Sequence, residues 1–267
     1  MERLFSKEDD MYILDHYQTT PYATLAEHFG LTERQVRGHI NNMGLTKSIK
    51  KDGTYFDAID TKEKSYWLGF LFADGWIYSN RKARSYCVGI ELHKNDIAIL
   101  ERFISDVGYD TKILFRNRDI CFNGYSYTAE TCYVRIFSKH MFQSLMNHGI
   151  VQDKTHSDIY PRIDHFQNAF IRGFMDGDGC ICDNKHGHIS LSFTNPNYDF
   201  LLYINEIISQ SCGVSGHMYK EKDLKYRLTF TGDMSVKSVL DWLYAEDDGL
   251  HLDRKFHIYK SHYGLAA

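Results

Sequence analysis

The stretch GFLFADG, Gly69–Gly75, returns as GFMDGDG, Gly173–Gly179. Each copy closes an apolar run on Asp-Gly and holds small residues four positions apart, Gly69 with Ala73 and Gly173 with Gly177. Positions four apart share one helix face, so these residues let a partner backbone come close. If the two small faces meet, the helix ends coincide and Asp74 and Asp178 become neighbours. A carboxylate at a helix C-terminus faces the negative end of the dipole, and two together repel. A divalent cation relieves both problems, taking one or two carboxylates and completing its shell with water and phosphate oxygens. Such acidic pairs support in-line phosphodiester hydrolysis. An Asp-Gly helix stop used once is ordinary; used twice after the same pattern, it points to a site.

The rest of the chain suits an intracellular globular protein. Its 267 residues are 43% hydrophobic and 15% aromatic, enough for a sizeable core. Only three prolines occur and no low-complexity tract. No apolar run reaches membrane-spanning length, and MERLFSKEDD is not a signal peptide. The expected location is cytoplasmic, in a bacterial or phage-infected cell, or an organellar matrix; secretion and a membrane partner are not expected. Six scattered cysteines read as reduced thiols. The net charge of −4 argues weakly against nucleic acid, yet basic residues cluster at Arg81–Arg84, Arg116–Arg118 and Lys220–Arg227. A basic groove can coexist with an acidic outer surface.

Residues 1–48 read as three short helices. Ser6 with Asp9 and Thr32 with Gln35 have capping-box spacing, and Gly30 stops the second helix. Met11, Ile13, Leu14 and Tyr17 supply the apolar positions of the first helix. ATLAEHFGLTERQVRGHINNMGLTKS resembles the helix-turn-helix modules of DNA-binding proteins, with Arg34, Gln35, Arg37 and Asn41 on the outer face of the recognition helix. Residues 49–60 read as a linker, 61–152 as a first repeat and 153–267 as a second. Each repeat begins with its motif helix and continues as strand pair, helix, strand pair, helix. In the first, Lys112–Asn117 and Thr131–Phe137 are the second strand pair, separated by a polar insertion. The expected fold class is α+β: two pseudo-symmetric αββαββα repeats forming a β-saddle, preceded by a small all-α module.

WLGFLFADG, Trp67–Gly75, and IRGFMDGDG, Ile171–Gly179, resemble the paired signature helices of LAGLIDADG homing endonucleases, over residues 60–260. The resemblance implies that Asp74 and Asp178 bind metal and act in catalysis, helped by the backbone carbonyls of Ala73 and Gly177. Phe72 then belongs to the core, and Asp176 is a polar neighbour rather than a ligand. GIVQDKTHSDIYP and LDRKFHIY are similar to two further family blocks, each contributing a lysine, here Lys154 and Lys255. The implied cofactor is Mg²⁺, two or three divalent ions, with Mn²⁺ able to substitute. The implied protein is a monomer that recognises a long duplex DNA site and makes a staggered double-strand break with short 3′ overhangs. Two alternatives share these motifs: a transcription regulator built on this fold, and an intron maturase that binds RNA.

The strands are expected to form the DNA surface. Ile189, Leu191 and Phe193 alternate with His188, Ser190, Ser192 and Thr194; Tyr226, Leu228 and Phe230 alternate with Lys225, Arg227 and Thr229. A ribbon with one polar, basic face suits the major groove. The candidate contacts are Lys82, Arg84, Lys112, Arg116, Arg118, Lys185, His188, Ser190, Ser192, Lys225 and Arg227. Cys180, Cys182, His186 and His188 lack a standard structural zinc spacing, so no zinc site is expected.

Overall fold

The structure, a computed structural model, describes residues 5–17, 20, 22–45, 53–80, 82–122, 125–183, 187–221, 225–245 and 249–265. The chain packs as two compact units, residues 1–51 and 52–267. No helix among the described residues is long and apolar enough to cross a membrane.

The smaller unit contains α1 (Lys7–His16), α2 (Tyr22–Phe29) and α3 (Glu33–Asn42). Both capping boxes form. The Ser6 hydroxyl accepts the Asp9 N–H and Asp9 accepts the Ser6 N–H, while Thr32 and Gln35 exchange the same pair of bonds. Gly30 takes φ +65°, which a glycine adopts without Cβ strain, and so turns the chain after α2. Phe5, Ile13, Leu25, Ala26, Val36 and Ile40 form its core. Of the apolar positions expected on α1, Ile13 is buried and Tyr17 half-buried, whereas Met11 and Leu14 are exposed. A helix that packs on one side only has a single stripe to bury.

In the larger unit the order α4 (Lys62–Ala73), β1 (Gly75–Asn80), β2 (Ser85–His93), α5 (Ile97–Val107), β3 (Leu114–Phe122), β4 (Tyr125–Ile136), α6 (Lys139–Asn147) is followed by α7 (Gln167–Asp178), β5 (Gly179–Asp183), β6 (Ile189–Asn195), α8 (Tyr198–Cys212), β7 (His217–Lys220), β8 (Tyr226–Thr231), α9 (Asp233–Leu243) and α10 (Asp253–Tyr263). The strands make two four-stranded antiparallel sheets with orders β1-β2-β4-β3 and β5-β6-β8-β7. Each sheet is apolar on one face. Val88, Ile90, Leu92, Cys132, Val134 and Ile136 are buried in the first, and Ile189, Leu191, Phe193, Leu228 and Phe230 in the second.

Two expectations are corrected. The polar insertion between the strands of the first repeat is itself strand: β3 and β4 pair continuously from Leu114↔Tyr133 to Phe122↔Tyr125. Ile120, Tyr125, Tyr127 and Thr128 are good strand formers and carry the ladder outward. Lys112 accordingly precedes β3. The expected linker 49–60 also fails over its described part. Phe56 is fully buried in the core of the larger unit, and Asp57 bonds His140 and Ser144. A run with two adjacent aromatics, Tyr55 and Phe56, has apolar area to bury.

Candidate active site

The motif helices α4 and α7 meet through their glycines. A Cβ placed on Gly69 would lie 2.0 Å from the Phe170 carbonyl oxygen, and one on Gly173 would lie 2.0 Å from that of Tyr66. One turn further on, a Cβ on Gly177 would meet the Ala73 Cβ at 2.3 Å and the Asp74 Cγ at 3.3 Å. The small faces seen in the sequence are therefore the contact, and the contact is reciprocal. Both helices are buried over most of their length, which explains why their apolar residues run continuously rather than in one stripe.

The crossing sets the two helix ends side by side. Asp74 is the C-cap of α4, its N–H donating to the Phe70 carbonyl at 2.9 Å. Asp178 is the last residue of α7. Burial is the largest cause raising the Asp74 carboxyl, to about 6, and the charge of Asp178 adds to it. Asp178 reaches solvent more fully, yet the protein crowded around it also raises its carboxyl.

Lys154 and Lys255 lie at equivalent places. The Lys154 ammonium donates to the carbonyls of Leu71 (3.4 Å), Phe72 (2.8 Å), Ala73 and Gly75 (2.7 Å). The Lys255 ammonium donates to those of Met175 (2.5 Å), Asp176 (2.7 Å) and Gly179 (2.6 Å). Leu71, Phe72 and Gly75 occupy the motif positions of Met175, Asp176 and Gly179. Each lysine thus satisfies the orphan carbonyls of one motif helix and sets a positive charge at the negative end of its dipole. Burial pulls both ammoniums down to about 8, partly opposed by the nearby carboxylates. Lys154, Asp178, Lys225, Ala73, Phe72, Thr155 and Thr194 line a cleft of about 260 Å³.

The oxygen donors here suit a hard cation, and burial keeps both carboxyls raised although the charges of Lys154 and Lys255 pull them down. Among the described residues no three His, Cys, Asp or Glu side chains gather at one point, so an ion at Asp74 and Asp178 would take its remaining ligands from water or phosphate. The Ala73 carbonyl receives Lys154, while the carbonyls that receive Lys255 do not include Gly177.

Phe72 is buried and stacks edge-on against Phe200. Asp176 is fully buried, accepting from the Tyr66 hydroxyl at 2.8 Å and the Leu252 N–H at 3.0 Å. Burial raises it to about 6.

The candidate contacts scatter over several surfaces. Lys82 and Arg84 are exposed in the β1–β2 turn, and Lys112 is exposed ahead of β3. His188, Ser190 and Ser192 lie on the open side of the second sheet together with Lys225 and Arg227. Arg227 pairs with Glu221 at 2.7 Å. Arg116 and Arg118 both pair with Glu91, Arg116 at 3.3 Å. Lys185 and His186 lie outside the described residues. In the smaller unit Arg34, Gln35, Arg37 and Asn41 are exposed on α3. Two of these are already engaged: the Gln35 side-chain oxygen accepts the Thr32 N–H at 2.9 Å, and Arg37 lies 4.8 Å from the centre of the Tyr22 ring. Gln35 therefore serves as the cap and cannot also offer both ends of its amide to a base.

The first sheet holds a group that the sequence reading passed over. Trp76 covers Gly89, where a Cβ would meet the indole at 2.3 Å. Arg135 lies over Trp76 (6.0 Å) and Tyr133 (4.9 Å), and Arg116 over the same tyrosine (4.7 Å). The alternation of Thr131, Tyr133 and Arg135 against Cys132, Val134 and Ile136 carried the signal.

Residues 165–241 match the LAGLIDADG-like domain. The match holds the second motif, Asp178 and the strands after it; the first motif lies outside. The uncharacterized protein MJ0398 of Methanocaldococcus jannaschii is 22% identical over 200 residues, which cover 69% of this chain and 67% of that protein. Among solved structures, the homing endonuclease I-WcaI bound to its DNA recognition sequence aligns with TM-score 0.54 at 12% identity, covering 82% of this chain and 96% of that one. The meganuclease I-SmaMI bound to uncleavable DNA aligns with TM-score 0.51 at 13% identity, covering 76% and 90%. At such identities the likeness is one of fold: mixed α and β, with two four-stranded antiparallel sheets.

Proposed function

We propose that the protein is a site-specific double-strand DNA endonuclease that hydrolyses phosphodiesters at Asp74 and Asp178. The observation that carries the reading is the meeting of two lysine-capped helix ends, each ending in a carboxylate, in a unit that also holds two four-stranded sheets. Similarity in fold to DNA-bound homing endonucleases supports it.

In this reading Asp74 and Asp178 hold divalent metal, Mg²⁺ or Mn²⁺, whose chemistry is to neutralise phosphate charge and ready water for attack. The carboxylates must be ionised to do so, and their mutual repulsion favours a cation between them. Lys154 and Lys255 hold positive charge at the site edge and stabilise the negative charge that builds on the scissile phosphate. Their carbonyl bonds fix where that charge lies. Open-face residues of both sheets position the duplex, and the three-helix unit extends the footprint as a helix-turn-helix module. The protein acts as a monomer, one carboxylate per strand.

The test is cleavage of a randomised duplex library with Mg²⁺ by the wild-type protein, Asp74→Asn and Asp178→Asn. Double-strand cuts at one enriched sequence, reduced to nicks or nothing by either substitution, are expected. Sequence-specific binding without cleavage would replace this reading with a DNA-binding regulator. Binding to structured RNA but not to duplex DNA would replace it with a maturase.

A further inference from the structure

The two carboxylate centres share a strand register but not a set of side chains. Gly75 pairs with Ile90 in the first sheet and Gly179 with Phe193 in the second. Two residues further on, Leu92 pairs with Cys132 and Asn195 with Tyr226. Glu91 therefore stands where Thr194 stands, and Thr131 where Lys225 stands.

In the second sheet this position puts Lys225 into the cleft with Asp178, Lys154 and Thr194. Its charge acts on Asp178. In the first sheet the equivalent pair closes on itself. The Thr131 hydroxyl donates to Glu91 at 2.7 Å, and the same carboxylate takes Arg116 and Arg118. The sixth motif position differs in the same sense. Asp176 gives Lys255 a buried counter-charge, whereas Phe72 gives Lys154 none. At the Asp74 centre the further cation is Arg254, whose charge acts on Asp74 but whose guanidinium pairs with Asp96 at 3.3 Å, whereas Lys225 stands on the cleft beside Asp178.

We infer that Lys225 contacts the scissile phosphate at the Asp178 centre and has no counterpart at the equivalent strand position of the Asp74 centre, so that the two strands of a duplex are cut at unequal rates. The inference rests on the endonuclease reading above. A phosphate held by two ammoniums has more of its developing charge met in the transition state than one held by a single ammonium.

The experiment uses the duplex enriched from the library, labelled on each strand in turn, with the wild-type protein and Lys225→Met. In the wild type one strand is nicked faster. Lys225→Met slows that strand by about tenfold, the worth of one lost charge contact, and leaves the other within about twofold. The substitution also lowers the slope of log Kd against log salt, measured with Ca²⁺ in place of Mg²⁺, by about one. The double variant Glu91→Thr with Thr131→Lys speeds the slower strand. Equal slowing of both strands, or of neither, overturns the inference while leaving the nuclease reading intact. If the wild type binds a duplex without cutting it, the nuclease reading has failed; the salt slope then decides whether Lys225 touches phosphate, and an unchanged slope overturns that too.

Discussion

Gly173 packs against Tyr66 with no room for a methyl group, since a Cβ there would lie 2.0 Å from the Tyr66 carbonyl oxygen. Backbone cannot yield as a flexible side chain can, so Gly173→Ala must push α4 and α7 apart. The expected cost is about 3 kcal/mol, the upper end for overpacking. At about 2–4 °C per kcal/mol for a unit of this size, the main melting transition falls by about 6–12 °C. Gly38→Ala is the control. Gly38 sits within α3 with nothing within 4 Å of its would-be Cβ, so alanine there stabilises the smaller unit by about 0.5–1 kcal/mol. Equal melting behaviour of Gly173→Ala and wild type would mean that the helices do not meet at their glycines.

The Tyr66 hydroxyl holds Asp176 in its ionised form, 2.8 Å from the carboxylate in a fully buried setting. Tyr66→Phe removes that donor, moves the Asp176 carboxyl further up from about 6 and costs about 1–3 kcal/mol. The folded protein binds the Asp176 proton more tightly than the unfolded chain does. Its contribution to stability therefore declines as pH rises from about 4 to about 6, and Asp176→Asn removes that decline. Carboxyl titration by carbon-detected NMR checks the first point, and melting temperature against pH the second. An Asp176 that titrates in the ordinary range would sink both.

The motif residues were legible because they obey local rules. Gly69 with Ala73 on one helix and Gly173 with Gly177 on the other declare two faces of close approach, and Asp-Gly declares an end. The two lysines were legible only through resemblance. Nothing in the spacing of Lys154 from Leu71, or of Lys255 from Met175, shows that an ammonium crosses about 80 positions of chain to cap a helix, since such contacts depend on tertiary closure. The long β3–β4 ribbon was missed because polar residues such as Asn117, Arg118 and Asp119 mask a strand whose two faces are both open. Glu91 was missed because a single acid on a basic face has no periodic signature. Its meaning comes from Arg116 and Arg118, which reach it from across the sheet.

Glu91 holds those two arginines on the open face of the first sheet, and it also accepts from Thr131. Glu91→Gln removes a negative charge from that face and releases part of both arginines' pairing. Non-specific duplex affinity is expected to rise severalfold, with a steeper salt dependence by about one to two charges. The gain shrinks at high salt, where screening removes it. Fluorescence anisotropy with an arbitrary duplex over a salt series measures both. Unchanged affinity would mean that this face does not meet nucleic acid.

Asp74 is the group whose ionisation should govern metal binding. Burial and the charge of Asp178 raise it to about 6, so a proton competes with a cation below that pH. Mn²⁺ affinity measured by calorimetry is expected to be level above about pH 7 and to fall by up to tenfold per pH unit below 6. The metal-free protein carries the opposite signature. The folded state holds the Asp74 proton over the window from 3.8 to about 6, where the unfolded chain has released it, so stability falls as pH rises through that window. Asp74→Asn removes the repulsion between the two carboxylates. Metal-free Asp74→Asn should therefore melt higher than wild type at pH 7.5, by about 2–4 °C for about 1 kcal/mol after solvent screening. The difference should close near pH 4, where the wild-type carboxyl is protonated as well. A variant less stable than wild type at pH 7.5 would mean that Lys154 and Lys255 outweigh the repulsion, and that the acidic pair carries no strain for a metal to relieve.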